Sequence, residues 1–298
     1  MTWFVITTIA YFLNAIVFII DKHLVTAKIK NPVTYAFYVG LLGIFSLFLL
    51  PLGRLVLPNF SQLLISLFTG AIFILTLIIF YKCLKEDEAS RVVPVVGGFV
   101  PVFTALLSFL FLNERWEIKF LLSIILLIFG GILISYRELE IYRHTLKKFS
   151  LYLLTALLFA IFYVLTKFIY LHQPFISGFI WARIGGFLTA LAFLLSKKIR
   201  KSIFKITRSI KKNTTFLFLG NQTLSALNFI LINFAISLAS VTIVNALQGM
   251  QFVFVLLIAG LIGKKYPKII FEEISSKIII QKIVAVLIIS VGIALLFI

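Results

Sequence analysis

Long apolar runs separated by short polar segments dominate this sequence. A helix that crosses the hydrocarbon core of a bilayer needs about 20 apolar residues, with a range of about 17–25. The chain contains ten runs of this kind, and none alternates apolar and polar residues as a membrane β-strand does. The runs are Thr2–Ile20, Val33–Leu50, Leu63–Tyr81, Val92–Leu112, Phe120–Tyr136, Leu151–Tyr170, Phe175–Leu195, Thr215–Leu238, Val241–Ile262 and Ile278–Ile298. The pattern predicts an all-α integral membrane protein with ten transmembrane helices.

The composition agrees with a lipid environment. Of the 298 residues, 62% are hydrophobic and 13% are charged, whereas soluble domains average about 45–50% apolar and about 25% charged residues. A single core of this size cannot bury such an apolar excess. A soluble enzyme, a disordered chain and a coiled coil are therefore excluded. The single cysteine, Cys83, also excludes an intramolecular disulfide.

The basic residues indicate partners and orientation. The net charge of +18 comes from 28 Lys and Arg residues against 10 Asp and Glu residues. These cations lie between apolar runs, so we expect anionic membrane lipids at basic cytoplasmic loops, and no nucleic acid, as partners. The loops opposite the N-terminus hold 23 of the cations. The positive-inside rule then places both termini outside a multi-pass protein of the cytoplasmic membrane. The oligomeric state stays open.

The densest basic segment runs from Lys197 to Lys212 and interleaves Ile203, Phe204 and Ile206. We interpret this segment as a topology signal. The alternative is a short amphipathic segment that lies on the anionic cytoplasmic leaflet.

The two halves of the chain repeat one another. Residues 11–22 align with residues 156–167, and both segments end in a lysine. Further along, Asn31-Pro32 aligns with Gln173-Pro174, and Gly43 with Gly185. Five spans is an odd number, so residues 1–148 and 149–298 are predicted to be inverted five-helix repeats within one structural unit. Such repeats are typical of secondary transporters with a site near the membrane midplane between the halves.

The fourth span and its flanks carry a family motif. The segment Tyr81-Lys-Cys-Leu-Lys-Glu-Asp-Glu-Ala-Ser-Arg-Val-Val-Pro94 precedes Pro101-Val-Phe-Thr and Phe111-Leu-Asn-Glu114-Arg. These residues resemble the EamA-type transporters of the drug/metabolite transporter superfamily, whose fourth helix starts after an Ala-Ser-like turn, carries a central proline and ends at a Gly-Glu pair. Asn113 stands at the glycine position. In the second half, Gln251 and Lys264 stand at the proline and glutamate positions.

The resemblance covers nearly the whole chain through its length, its ten spans and its paired halves. It implies export or exchange of a metabolite by alternating access. It also implies cytoplasmic termini, which is opposite to the orientation that the loop charges predict.

Arg183 lies midway along the seventh predicted span. An arginine at a helix centre costs about 2.5–3.5 kcal/mol on insertion scales, and the acidic residues, Asp21 and Glu114 included, lie in loops or at helix ends. One interpretation is that Arg183 faces a wet cavity and pairs with a carboxylate or phosphate of the solute. The alternative is a structural arginine that donates to backbone carbonyls or amide side chains of neighbouring helices.

Amide side chains concentrate in the eighth and ninth spans. Asn221 and Asn228 are seven residues apart and therefore share a helix face, while Asn245, Gln248 and Gln251 follow at intervals of three. Amides donate and accept hydrogen bonds, which suits a polar neutral or zwitterionic solute. Interhelical hydrogen bonding is the alternative, and we favour it for Asn228.

Small residues form a stripe along the fourth span. We interpret the stripe as a packing surface, with a gating hinge that lines the cavity as the alternative. Its members are Pro94, Gly97, Gly98, Pro101, Thr104 and Ser108. Across all spans, the predicted substrate-binding residues are Arg183, Trp181, Asn221, Asn245, Gln248, Gly97, Gly98 and Pro101, together with Asn14 and Tyr163.

Motifs of enzymes and pumps are absent from the sequence. It contains no P-loop, no H-E-x-x-H and no G-x-S-x-G, and its three histidines lie in different loops. We therefore predict no enzymatic activity, no cofactor and no metal site. Proton coupling by a midplane carboxylate is disfavoured, whereas exchange, facilitated diffusion or protonation of Asp21 stays open.

The predicted function is secondary transport of a small organic metabolite, such as an amino acid, by alternating access. A lipid-linked carrier flippase and a non-transporting membrane scaffold or receptor are the alternatives. The sequence names neither the solute, the direction nor the coupling ion.

Overall fold

The computed structural model describes residues 2–25, 29, 31–86, 89–115, 117–135, 146–262 and 276–295. Regular structure within these residues is helical throughout, which confirms the all-α fold class. The helices are α1 (Thr2–His23), α2 (Pro32–Leu41), α3 (Phe60–Glu86), α4 (Ala89–Leu112), α5 (Ile118–Ser135), α6 (Leu146–His172), α7 (Phe175–Ala192), α8 (Lys197–Ser209), α9 (Lys212–Leu238), α10 (Val241–Ala246), α11 (Gly249–Ile262) and α12 (Ser276–Leu295).

Seven helical segments are long and apolar enough to cross a bilayer. They correspond to the first four predicted spans and to the sixth, seventh and eighth. Shorter apolar stretches at Ile118–Gly130, Val241–Val255 and Ile283–Leu295 fall on the fifth, ninth and tenth. The described residues therefore support a multi-pass membrane protein.

Within the described residues, three of the predicted spans are not continuous α-helices. The seventh ends in a short 3₁₀ helix over Phe193–Leu195, and the second and ninth change within their length. After Leu41 the second span continues as a 3₁₀ helix over Leu42–Leu52, with Pro51 inside it. The ninth span is interrupted at residues 247–248, where the backbone N–H of Gln251 donates to the backbone carbonyl of Gln248 at 2.9 Å. Interrupted helices are characteristic of transporter binding sites, because the interruption brings polar groups to membrane depth.

Several contacts between the two halves occur in corresponding pairs. Helix α5 packs against α12, α2 against α7, and α4 against α10. The contact of α1 with α9 has a counterpart in that of α3 with α6, and the contact of α4 with α6 has one in that of α1 with α11. Helices α3 and α7 also pack closely along their length.

The basic segment after the seventh span forms helix α8. Its buried Ile203 packs with Phe37 of α2 and Ala190 of α7. Asn31 donates to the Ser202 hydroxyl at 3.1 Å, and Tyr38 and Thr207 share a hydrogen bond at 2.5 Å. The segment is thus an amphipathic helix that packs on α2. Binding of lipids to its basic face stays a prediction.

The end of α4 explains why asparagine replaces glycine there. Asn113 has a φ of 53°, in the left-handed region that glycine adopts most readily and asparagine next. The following Glu114 carboxylate accepts hydrogen bonds from Ser240 at 2.8 Å, from Thr242 at 3.0 Å and from the Val241 amide at 3.2 Å. The end of the motif therefore caps α10 and joins the two halves.

Candidate substrate-binding cavity

A cavity of about 180 Å³ lies between the two halves of the bundle. A single water needs about 10–15 Å³ on the same measure, so the cavity has room for a small organic solute. Its wall combines aromatic and aliphatic side chains with an unusual number of polar groups for a membrane interior. The polar lining residues are Tyr11, Asn14, Asp21, Tyr81, Tyr163, Gln222, Ser225, Asn228, Gln248 and Gln251.

A chain of amides crosses one wall of this cavity. The side-chain amide of Asn228 on α9 donates to Oδ1 of Asn14 at 3.0 Å, and the side-chain amide of Asn14 on α1 donates to Oε1 of Gln251 at 2.8 Å. These bonds connect helices from both halves, as the interhelical interpretation of Asn228 requires. The Oδ1 atom of Asn228 is buried and has no hydrogen-bond partner among the described residues. It is therefore an acceptor that a solute can satisfy.

Asp21 places a carboxylate at the edge of the cavity. It lies at the end of the first candidate span, Thr2–Asp21, and its Oδ1 accepts hydrogen bonds from the Tyr35 hydroxyl and, at 2.6 Å, from the Asn221 amide. Tyr35 is buried and packs edge-on against Tyr81, with ring centroids 4.7 Å apart. The Oδ2 atom accepts no hydrogen bond from the residues that the structure describes, which leaves it to a donor in the cavity.

Sequence reasoning assigned Asp21 to a helix end and did not include it among the binding residues. Its hydrogen-bond partners are 14 and 200 residues away in the chain. The available signal was the position of a carboxylate directly at the end of an apolar run, in a chain with few acidic residues. That signal alone does not show which neighbours surround the group.

Four of the predicted binding residues line the cavity: Asn14, Gly97, Tyr163 and Gln248. Gln248 reaches it because the helix is interrupted at that residue. Asn221 lies behind Asp21 and holds its carboxylate.

The fourth-helix stripe divides between lining and packing. Gly98 and Pro101 are buried, but they are not among the residues that line the cavity. Asn245 is also buried and donates to the Thr104 hydroxyl at 3.2 Å, which ties α10 to α4. The Ser108 and Thr242 hydroxyls are 2.7 Å apart. These contacts agree with the packing interpretation of the stripe.

Trp181 and Arg183 lie away from the cavity. The Trp181 indole donates to the Val56 carbonyl at 2.9 Å. The Arg183 guanidinium lies over the rings of Phe73 and Phe229, at 5.7 and 5.0 Å from their centroids. Both rings line the cavity, so they separate Arg183 from it. Arg183 instead faces a groove on the side of the bundle.

Residues 1–136 match the sequence model of the EamA-like transporter family. The resemblance to EamA-type transporters is confirmed. The match covers slightly less than half of the 298 residues, and this EamA-like segment contains Asn14, Asp21 and Gly97 of the cavity wall. Asn228, Gln248 and Gln251 come from the other half of the chain.

A solved crystal structure has the same overall fold. It is 13% identical to this chain, covers 99% of it and 96% of its own length, and superposes with a TM-score of 0.69. At this identity the likeness shows the fold alone, including that of the half outside the EamA-like segment. No curated protein matches the sequence.

Proposed function

We propose that this protein is a secondary transporter of the drug/metabolite type, and not an enzyme. It carries a small organic metabolite, such as an amino acid or a related solute, across the cytoplasmic membrane by alternating access. The observation that carries the proposal is the cavity between the halves, with its carboxylate and its chain of amides inside an otherwise apolar bundle. The EamA-like match over residues 1–136 supports the same class of function.

The proposed architecture is ten transmembrane helices in two inverted five-helix repeats, residues 1–148 and 149–298. Two observations support it. The long and the shorter apolar helices together fall on all ten predicted spans. Several contacts between the halves, though not that of α3 with α7, also occur in corresponding pairs, as expected when one half is related to the other by a two-fold axis. Rocking of one half against the other then opens the cavity to alternate sides.

The cavity chemistry suits a solute with an ammonium group and a second polar group. The free Oδ2 of Asp21 accepts a charge-assisted hydrogen bond from the ammonium. The unsatisfied Oδ1 of Asn228 and the Gln248 amide serve the second group. An amino acid or an amine-bearing metabolite has this combination.

Counterflow in proteoliposomes tests the proposal. Liposomes loaded with each member of a panel of amino acids, amines and small organic acids are assayed for uptake of the labelled solute. We expect exchange of at least one amine-bearing solute, and at least a tenfold loss of it in Asp21→Asn. The matched control is Glu86→Gln, because the contact that the described residues give Glu86 is an exposed one with Lys82 at 4.0 Å. Equal activity of Asp21→Asn and wild type contradicts the assignment of Asp21.

The non-transporting scaffold makes a different prediction, because it needs no water-accessible cavity. In a Cys83→Ser background, we expect Gln248→Cys to react with a membrane-impermeant maleimide from one side. Asn245→Cys is the matched control on the same span, and we expect no labelling there because Asn245 is buried against Thr104. Absence of labelling at Gln248→Cys in both orientations favours the scaffold.

A further inference from the structure

A second cavity, of about 240 Å³, lies between the 3₁₀ segment Leu42–Leu52 and helix α9. Helices α2 and α9 meet at one end, where the Phe218 ring lies 5.3 Å from that of Tyr35. Beyond this contact the groove separates them. Its outer rim includes Phe45 and Phe48, which are 54% and 76% exposed. In a membrane, these exposed apolar side chains contact lipid chains.

Arg183 lies at the inner end of this groove with most of its hydrogen-bonding capacity unused. A guanidinium has five N–H donors, and among the residues that the structure describes the Arg183 group makes one long hydrogen bond, to the Val39 carbonyl at 3.4 Å. Phe73 and Phe229 interact with its positive charge through their ring faces. No carboxylate contacts it within the described residues. A cation in this setting calls for an anionic ligand.

A second polar group faces the same groove without a partner. Ser46 lines it and is only 8% exposed, and its hydroxyl makes no hydrogen bond with the part of the chain that the structure describes. A buried hydroxyl of this kind is normally satisfied by protein, water or ligand. The groove therefore combines an apolar rim with a cation and an unpaired hydroxyl.

The groove also adjoins the cavity between the halves. Val39, Phe73 and Phe229 line both spaces, as do Gln222 and Ser225. The two phenyl rings stand between them.

We propose that the groove is a lateral entrance for an amphiphile from the bilayer, with one anionic headgroup and an apolar chain. The phosphate or carboxylate headgroup binds the Arg183 guanidinium and the Ser46 hydroxyl. The chain lies along Phe45, Phe48 and Ile230. The inference rests on the proposed transport function and deepens it, because it extends the substrate class from water-soluble metabolites to membrane amphiphiles.

The test is the binding of radiolabelled dodecyl phosphate to the full chain in dodecyl maltoside, read by scintillation proximity. The detergent supplies neutral chains in excess, so specific binding depends on the headgroup. We expect saturable binding that dioleoyl phosphatidate displaces and inorganic phosphate at the same concentration does not. Displacement by inorganic phosphate as effective as that by dodecyl phosphate overturns the proposal in favour of a soluble anion.

Variants locate the site. We expect binding to weaken at least tenfold in Arg183→Gln and less in Arg183→Lys, which keeps the charge but loses the bidentate geometry. Ala226→Phe fills the groove from α9 and is expected to weaken binding while keeping Arg183. Gly220→Phe is the matched control, because no atom lies within 4 Å of a Cβ there.

Wild-type affinity in both Arg183→Gln and Ala226→Phe overturns the proposal. If Arg183→Gln does not fold, Ala226→Phe decides alone. Binding is measured without transport, so this result is independent of counterflow. Dodecyl phosphate binding without counterflow of any solute would contradict the proposed metabolite transport and leave the groove assignment standing.

Discussion

Two lines of contact between the halves, here called the α3–α7 seam and the α2–α9 seam, differ in how closely their helices approach each other. At the α3–α7 seam, a Cβ on Gly70 would lie 1.9 Å from the Ala182 carbonyl oxygen, and one on Gly185 would lie 2.2 Å from that of Leu67. At the α2–α9 seam, the groove takes the place of such contact. The proposed inverted repeat would relate these two seams to each other, yet the helices pack closely at one and not at the other.

The difference shows what the glycines do. Without large hydrophobic gains between helices in lipid, association depends on close packing of small residues. Glycine produces a closed seam where a neighbouring backbone reaches it, and has no such effect where none does. The open seam leaves room for Arg183, which a closed one would exclude. The predictions below test this contrast, from the largest expected effect to the smallest.

We expect the close glycine contacts at the α3–α7 seam to make the largest contribution to the stability of the fold. Gly70→Val places a side chain into the backbone of α7, so we expect a loss of at least about 3 kcal/mol and a fall in apparent Tm of about 6–12 °C. The measurement is thermal unfolding in detergent. Gly220→Val is the matched control and should melt close to wild type. Similar melting of the two variants would contradict the close packing at the α3–α7 seam.

We expect Arg183 to lower the free energy of unfolding of the ligand-free protein, relative to an apolar residue at the same position. Arg183→Met removes a desolvated charge and keeps an unbranched apolar chain, so we expect the ligand-free protein to gain about 1 kcal/mol, with Tm rising by about 2–4 °C. Dodecyl phosphate should raise the Tm of wild type and not that of the variant. A lower Tm for ligand-free Arg183→Met would favour the structural interpretation of this arginine.

We expect a substitution at Gly43 to have a smaller effect on ligand binding at Arg183. A Cβ there would lie 3.0 Å from the Arg183 carbonyl oxygen and 3.4 Å from its Nη2 atom. We expect Gly43→Ala to displace the guanidinium slightly and to weaken dodecyl phosphate binding by about two- to fivefold, well under one decade of affinity. Unchanged affinity would show that the arginine adapts without loss.

Much of the fold could be predicted from the sequence because apolar length is a one-dimensional property. Apart from the basic helix α8, the described helices fall on the predicted spans, and both aligned prolines mark helix starts: Pro32 is the first residue of α2, and Pro174 directly precedes α7. The interruption at residues 247–248 was not predicted, since the ninth span is apolar on both sides of it. The 3₁₀ segment was not predicted either, because its composition is that of an ordinary apolar helix.

The candidate site was less predictable. Gln248 and Asn245 have the same residue class and neighbouring positions, yet one lines the cavity and the other is buried against Thr104. The Asp21 carboxylate is positioned by hydrogen bonds from Tyr35 and Asn221, which lie on two other helices. A helix that is apolar all round carries no periodic signal for which face turns inward. The sequence therefore named polar groups at membrane depth without showing which of them share a space.

By itself, the sequence determined the helical class, the membrane environment and the EamA-like character of the first half. These follow from apolar length, charge composition and a local motif. Only the tertiary structure decided that Asp21 reaches the cavity and that Phe73 and Phe229 separate Arg183 from it. Those arrangements depend on contacts between helices far apart in the chain, and such contacts are set by which small residues meet a neighbouring backbone.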